Sequence, residues 1–199
     1  MDDVLGDDYV FTVDNLLKML SITLRLQANM PVVIMGDTGC GKSRLVSCMC
    51  SILDWPLAVL NVHSGLSYTD IVHWVEEQAS LARAAEAAGR AGITVIHLDE
   101  INTCNSVSLF KEIVCDGSVD GKPLPQSLRI VAACNPYRLR ASKKKIASTE
   151  GVRRGPKRND QLVDLVYRVH PLHESLVDHV MDYGALKRCT ERQYIVAMV

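Results

Sequence analysis

A glycine-rich stretch early in the chain carries the residue types that bind phosphate groups. It reads Gly36, Asp37, Thr38, Gly39, Cys40, Gly41, Lys42 and Ser43. Glycines let consecutive backbone N–H groups turn toward one anion, and a following helix directs its N-terminal donors at the same anion. We predict that Lys42 contacts the β- and γ-phosphates of ATP and that the Ser43 hydroxyl coordinates Mg²⁺.

A later run, residues 93–100, is typical of a buried parallel strand, being nearly continuously apolar until it ends in two carboxylates. Beside a bound nucleotide, Asp99 would complete the Mg²⁺ site, and Glu100 would orient and deprotonate the attacking water. Without a nucleotide, the pair would simply end a strand. Asn135 ends another apolar run, directly before Pro136. Its amide could bind the γ-phosphate or the attacking water, although asparagine in this place is also a common turn former.

The phosphate loop and these polar residues follow strands, so the order of elements decides whether they meet. Apolar runs predict five strands, at residues 31–35, 57–62, 93–100, 128–136 and 162–169, separated by helical patterns. This alternation predicts an α/β fold with a parallel five-stranded sheet and helices on both faces. Ligands of such sheets bind at the carboxyl ends of the strands, where Gly36, Asp99 and Asn135 would lie.

The helical patterns predict how the chain divides into three segments. An N-terminal helix capped by Asp14 and ending near Asn29 would occupy the segment 1–30. Its apolar positions are Leu16, Leu17, Leu20, Leu24 and Leu26. The ATPase core would cover residues 31–172, and a helix over 172–183 closed by Gly184 would open a truncated helical lid over residues 173–199.

Composition excludes several classes of protein. The chain has 199 residues, 48% of them hydrophobic and 23% charged, which is the composition of a globular protein. Its net charge is −1, which favours no particular partner. No apolar run approaches the ~20 residues that span a bilayer. Seven cysteines, an odd number, are interpreted as reduced thiols of a cytosolic or nuclear protein.

One segment, residues 138–158, departs from this neutral balance. It contains one acidic residue, Glu150, and nine basic residues. The basic residues are Arg138, Arg140, Lys143, Lys144, Lys145, Arg153, Arg154, Lys157 and Arg158. The segment could be a solvated loop, a surface for nucleic acid or another polyanion, or the source of an arginine that reaches a neighbouring subunit's ATP. Few aromatic residues accompany the charges, so nucleic acid is the less favoured partner.

Taken together, the stretches 36–43, 95–100 and 132–136 resemble the Walker A, Walker B and sensor-1 elements of AAA+ ATPases, which are P-loop NTPases. Residues 31–45, 131–138 and 165–172 are further similar to an AAA+ module of the mysterin family, the giant RING-finger E3 ubiquitin ligases. The resemblance implies a row of neighbouring AAA+ modules in one very large cytosolic protein that associates with lipid droplets and works with the ubiquitin machinery. No RING-like array of paired cysteines and histidines occurs in this sequence, so ubiquitin transfer would take place elsewhere.

The leading functional hypothesis is therefore a module that binds ATP and hydrolyses it to ADP and phosphate. Glu100 and Asn135 are its predicted catalytic residues. A module that holds ATP without hydrolysing it, to stiffen contacts with its neighbours, is the first alternative. A nucleic-acid motor, favoured only by the basic segment, is the second.

Overall fold

The structure is a computed structural model that describes residues 9–90, 92–138 and 167–184. Within them the elements are α1 (Val13–Gln27), β1 (Val32–Gly36), α2 (Lys42–Ile52), β2 (Leu57–Asn61), α3 (Tyr68–Ala87), β3 (Thr94–Asp99), α4 (Val107–Lys111), β4 (Ser118–Val119), β5 (Lys122–Pro123), β6 (Leu128–Cys134), α5 (Glu174–Val177) and β7 (Val180–Gly184). A π-helical turn, Glu112–Asp116, continues α4.

Five strands form one parallel sheet in the order β2-β3-β6-β1-β7. β1 lies between β6 and β7, with Met35 opposite Cys134 and Asp182. β3 lies between β2 and β6, with Leu98 opposite Ala132. The predicted parallel five-stranded sheet is confirmed, and the carboxyl ends of β1, β3 and β6 meet at one edge.

Helices cover both faces of the sheet, as predicted. On one face, α1 and α2 pack Ile22, Leu45 and Met49 against strand residues such as Val32 and Val95. The other face carries α3, α4 and the π-helical turn. Their buried side chains include Ile71, Val75, Leu109, Phe110 and Ile113, which pack with Ile96, Leu98 and Ala132. Neighbouring strand residues point to opposite faces, so each strand contributes to both layers.

The prediction of the fifth strand was wrong. That strand is β7, Val180–Gly184, which pairs with β1 at the edge of the sheet. Residues 167–169 of the predicted strand 162–169 are irregular, and its other residues lie outside the described part of the chain. The helix predicted over 172–183 is also wrong, because only Glu174–Val177 is helical before β7 begins. A strand of the core therefore lies beyond residue 172, within the segment assigned to the lid.

Helix α1 buries a different face from the predicted one. Thr12, not Asp14, is its N-cap, and the Thr12 hydroxyl accepts a hydrogen bond from the Asn15 amide at 3.1 Å. The buried side chains are Asn15, Met19, Ile22 and Leu26. Of the five predicted leucines, only Leu26 is buried, whereas Leu16, Leu17, Leu20 and Leu24 are about half exposed. The predicted cap and most of the predicted apolar face are therefore corrected.

Three further sequence predictions concern smaller segments. The turn-rich connection after Asp116 contains a short antiparallel hairpin of β4 and β5. Of the basic segment, only Arg138 belongs to the described residues, and the end of the chain, 185–199, lies outside them. In the described part of the chain, no helix is both long and apolar enough to cross a membrane. The cysteines described there are free: Cys40, Cys48, Cys50, Cys104, Cys115 and Cys134.

Candidate functional site

The predicted phosphate loop, residues 36–43, runs from the end of β1 to the start of α2. Gly39 and Gly41 have φ angles of 79° and 92°, a backbone conformation that residues with a Cβ atom rarely adopt. Gly36 is required for a different reason, because a Cβ there would lie 2.9 Å from the Cβ of Tyr183 on β7. Glycine is thus needed for backbone turns at two positions and for close packing at the third.

Lys42 begins α2, and its side chain folds back over the loop. Its ammonium donates to the backbone oxygens of Gly36 at 2.7 Å and Asp37 at 3.0 Å, and to Oδ1 of Asn135 at 3.3 Å. Only 6% of the residue is exposed. A buried cation held by neutral oxygens over a glycine loop is suited to an anion such as a phosphate, which would supply the negative charge that these partners lack.

Ser43 and Asp99 are brought into direct contact. The Ser43 hydroxyl, in the first turn of α2, donates a hydrogen bond to Oδ2 of Asp99 at the end of β3. A hydroxyl and a carboxylate are oxygen ligands of the kind that Mg²⁺ accepts, so this pair fits the predicted metal. Among the described residues, no cluster of three or more His, Cys, Asp or Glu side chains could hold a metal. Mg²⁺ would therefore need nucleotide phosphates and water as additional ligands.

Asn135 connects the loop to Glu100. Its Oδ1 accepts hydrogen bonds from Lys42 and from the Thr38 hydroxyl, both at 3.3 Å. Its Nδ2 donates to Oε1 of Glu100, also at 3.3 Å. The side chains of Thr38, Lys42, Glu100 and Asn135 thus form one continuous network across the ends of β1, β3 and β6.

Glu100 adopts an uncommon backbone conformation for a residue with a side chain. Its φ angle is 58°, in the left-handed region, which costs about 1–3 kcal/mol for a non-glycine residue. The surrounding residues fix this turn: the Thr103 amide and hydroxyl both donate to the Glu100 carbonyl, at 3.0 and 2.9 Å. The Ile101 amide donates to the Ala133 carbonyl at 3.0 Å. The strained turn sits where the predicted catalytic carboxylate leaves the sheet.

Asn102, a residue that no sequence motif indicated, holds the backbone of Asn135. The Asn102 side chain accepts from the Asn135 amide at 3.2 Å and donates to the Asn135 carbonyl at 2.8 Å. Asn102 is 1% exposed, and its own carbonyl accepts from the His170 amide. The only signal in the sequence was the position of Asn102, a polar residue two positions after Glu100. Its partner Asn135 is 33 positions away, so the contact could not be expected from local spacing.

The Asp37 side chain pairs with residues outside the glycine-rich loop. Its Oδ1 accepts from Nη1 of Arg138 at 3.3 Å and from the Tyr167 hydroxyl at 3.4 Å. Arg138 is the one described residue of the basic segment, and its side chain is 60% exposed. Such an exposed ion pair contributes little stability, at most about 1 kcal/mol. It does bring the chain after β6 and the chain before α5 to the same side of the phosphate loop.

The thiols near the loop are protonated at neutral pH. Burial raises the pKa of Cys40, although the nearby Lys42 charge opposes this shift. Burial raises the pKa of Cys134, directly before Asn135, to about 12. Neither thiol is therefore a nucleophile at neutral pH, because the thiolate is the reactive form.

The RNF213 AAA domain family matches residues 9–138. The chain is 39% identical over 208 residues to the E3 ubiquitin-protein ligase rnf213-beta of Danio rerio and 37% identical over 210 residues to the E3 ubiquitin-protein ligase RNF213 of Mus musculus. These alignments cover 96% and 97% of this chain but 4% of each relative, so the chain spans a small part of their length.

Among solved structures, a putative ATPase from Cytophaga hutchinsonii shares the fold, with a TM-score of 0.54 and 13% identity over 98% of this chain and 52% of that one. The predicted P-loop AAA+ fold is confirmed, as is the resemblance to an AAA+ module of a giant ubiquitin ligase. The chain belongs to the RNF213 AAA domain family.

Proposed function

We propose that this chain is an AAA+ module that binds ATP with Mg²⁺ and hydrolyses it to ADP and phosphate when it is joined to its neighbours. The observation that carries the proposal is the convergence of Lys42, Ser43, Asp99, Glu100 and Asn135 at one loop from three separate elements, α2, β3 and β6. These residues are a cation, two carboxylates, a hydroxyl and an amide, the groups that phosphoryl transfer to water requires.

Each side chain has a distinct role in this proposal. The loop amides and Lys42 would hold the β- and γ-phosphates, with Lys42 exchanging its present oxygen partners for phosphate oxygens. Ser43 and Asp99 would hold Mg²⁺, which neutralises charge that develops on the phosphates when it is bound. Glu100 would accept a proton from the attacking water, and Asn135 would orient the γ-phosphate or that water.

A fluorescent-ATP titration of the 199-residue chain tests binding. Lys42→Ala should abolish saturable binding, because it removes the buried cation over the loop. The matched control is Lys111→Ala at the end of α4, whose side chain instead contacts Asp116 on the π-helical turn. Equal affinities of wild type and Lys42→Ala would refute the proposal.

A second function, nucleotide binding without turnover, is favoured by one contact. Asn135 Nδ2 donates to Oε1 of Glu100 at 3.3 Å, which engages one of the two carboxylate oxygens that could accept a proton from water. In a longer chain that includes neighbouring modules, steady phosphate release that Glu100→Gln removes would establish hydrolysis. ATP binding with no phosphate release from either protein would establish the second function.

The wider setting follows from the relatives. Their names describe E3 ubiquitin-protein ligases, and this chain matches a small part of their length. We therefore propose that the module serves a large ligase of the same kind, with neighbouring AAA+ modules as its contacts and the ligase domain outside this chain. A cytosolic location and association with lipid droplets belong to the same proposal. The nucleic-acid motor has no support among the described residues, where the single described arginine of the basic segment pairs with Asp37.

A further inference from the structure

His97 occupies an unusual place for an ionisable residue. It lies in the middle of β3 with no solvent exposure, two positions before Asp99. Since residues two apart on a strand point to the same face, His97 and Asp99 both face α2, whose first turn carries Ser43. An aliphatic side chain would fill this position without the cost of burying a polar ring.

The two ring nitrogens of His97 have different surroundings. Nδ1 lies 3.1 Å from the Val131 carbonyl oxygen on β6. A carbonyl oxygen only accepts hydrogen bonds, so Nδ1 carries the ring proton and Nε2 presents a lone pair in the neutral ring. Nε2 is thus an acceptor, and no described residue donates a hydrogen bond to it.

The unpartnered nitrogen faces the predicted metal site. Nε2 lies 3.9 Å from Oδ2 of Asp99, the same oxygen that accepts the Ser43 hydroxyl. Two acceptors at this separation are too far apart for a direct hydrogen bond. One water molecule that donates to both would fit the distance and would satisfy the buried nitrogen.

We propose that His97 is a positioning residue that fixes the Asp99 carboxylate through a shared water molecule and thereby sets the affinity of the site for Mg²⁺. The inference rests on the proposed function, because it assigns a role toward the Mg²⁺ of a nucleotide site. Groups that orient metal ligands from behind typically change metal affinity 10- to 100-fold when they are removed. His97 reaches the metal only through Asp99, and it contacts neither nucleotide nor metal itself.

The decisive measurement is the Mg²⁺ dependence of nucleotide binding. Fluorescent ATP is titrated onto the 199-residue chain in EDTA and at a series of Mg²⁺ concentrations. For His97→Leu, we expect the Mg²⁺ concentration at half effect to rise about tenfold or more, with the affinity in EDTA unchanged. His97→Gln, which keeps a polar atom near the position of Nε2, should stay close to wild type.

Val95→Ala is the matched control for packing. Val95 is fully buried on the same strand face and packs in the same layer, but it carries no polar atom. It should lower the unfolding temperature while leaving the Mg²⁺ midpoint at the wild-type value. His97→Leu should lower the unfolding temperature less than Val95→Ala does, since an apolar side chain fills the position without leaving a cavity.

A second measurement needs no nucleotide. The ring ¹⁵N signals of His97 should report a neutral ring protonated at Nδ1, and Asp99→Asn should shift the Nε2 signal. Asp116→Asn, which changes an exposed carboxylate on the π-helical turn, should leave it unchanged. An Nε2 signal that ignores Asp99→Asn would overturn the proposal.

The Mg²⁺ series separates two kinds of failure. If wild type gains no nucleotide affinity from Mg²⁺, the metal role of Ser43 and Asp99 fails and the role of His97 fails with it. If wild type responds to Mg²⁺ and His97→Leu has the same midpoint, the assignment of His97 alone is refuted.

Discussion

Asn135 shows how completely one side chain can be fixed by its partners. Its side-chain oxygen accepts from Lys42 and Thr38, its side-chain nitrogen donates to Glu100, and both of its backbone polar groups bond to Asn102. A buried amide with these partners has little freedom to rotate. Its orientation relative to the loop therefore depends on Asn102 as much as on its own strand.

Replacing Asn102 should disturb the site without touching it directly. Asn102→Ala leaves the Asn135 amide and carbonyl without these side-chain partners inside the protein, which should lower the free energy of unfolding by about 1–3 kcal/mol. Urea unfolding monitored by circular dichroism measures this loss. Asn61→Ala, at an exposed position ending β2, is the control and should change stability by less than about 0.5 kcal/mol. Similar losses in both variants would show that the Asn102 bonds stabilise little.

Cys134 should make stability fall at alkaline pH. Burial holds its folded pKa at about 12, above the unfolded value of 9.0, so the unfolded chain loses this proton first as pH rises. The contribution is fully present below pH 9 and is lost between about pH 9 and 12, with a slope of up to about 1.4 kcal/mol per pH unit. Urea midpoints between pH 8.5 and 10.5 should therefore decline less steeply for Cys134→Ala than for wild type.

Cys115 is the control for that slope. It is only partly buried, whereas Cys134 is fully buried, and burial raises its pKa as well. Cys115→Ala should flatten the decline less than Cys134→Ala does. Parallel declines for wild type and Cys134→Ala would mean that Cys134 ionises equally in the folded and unfolded chains.

At the scale of elements, the sequence predicts strands that have a local apolar pattern, and it does not predict a strand that depends on pairing with a distant segment. The strands next to the site, β1, β3 and β6, are short apolar runs ended by turns, and this pattern is sufficient to identify them. β7 has the sequence Val-Met-Asp-Tyr-Gly, and only its pairing with β1 makes it a strand. The run 162–169 is more apolar than β7 and so has the pattern expected of a buried strand. β7 lies at the edge of the sheet, where a strand needs fewer apolar residues.

Helix α1 illustrates a second reason for failure. Apolar residues occur on both of its sides, so the period alone could not decide which side faces the sheet. The structure buries Met19, Ile22 and Leu26 and leaves Leu17 and Leu20 more than half exposed. Asn102 was missed for a related reason, since a single asparagine has no pattern and its partner lies on another strand.

The faces of α1 can be distinguished by paired substitutions. Ile22→Ala removes a side chain that is 1% exposed and should cost about 2–5 kcal/mol, because it leaves a cavity in the layer with α2. Leu20→Ala removes one that is 54% exposed and should cost less than about 1 kcal/mol. Urea unfolding of the 199-residue chain measures both. A larger cost for Leu20→Ala than for Ile22→Ala would restore the face predicted from the sequence.

At the scale of the whole molecule, β7, the last described strand, packs against the glycine-rich loop that follows β1. Tyr183 on β7 lies against the loop, within van der Waals distance of any Cβ added at Gly36 or Gly41. Lys18 of α1 donates to the Tyr183 carbonyl at 2.8 Å and lies 4.0 Å from the centre of its ring. The predicted phosphate loop therefore packs against Tyr183, near the end of the described chain, and Tyr183 is in turn contacted by Lys18, near its start. Its shape depends on the whole sheet having formed.

Gly36→Ala tests this dependence. The new Cβ would lie 2.9 Å from the Tyr183 Cβ and 3.1 Å from the Cys40 sulfur, so β7 or the loop must shift. We expect a loss of about 1–3 kcal/mol in urea unfolding without nucleotide, as for other overpacked sites. Gly92→Ala, whose Cβ would have no atom within 4 Å, should change stability by less than about 1 kcal/mol. If Gly36→Ala is as stable as Gly92→Ala, then β7 does not press against the loop, and the loop keeps its shape independently of that edge of the sheet.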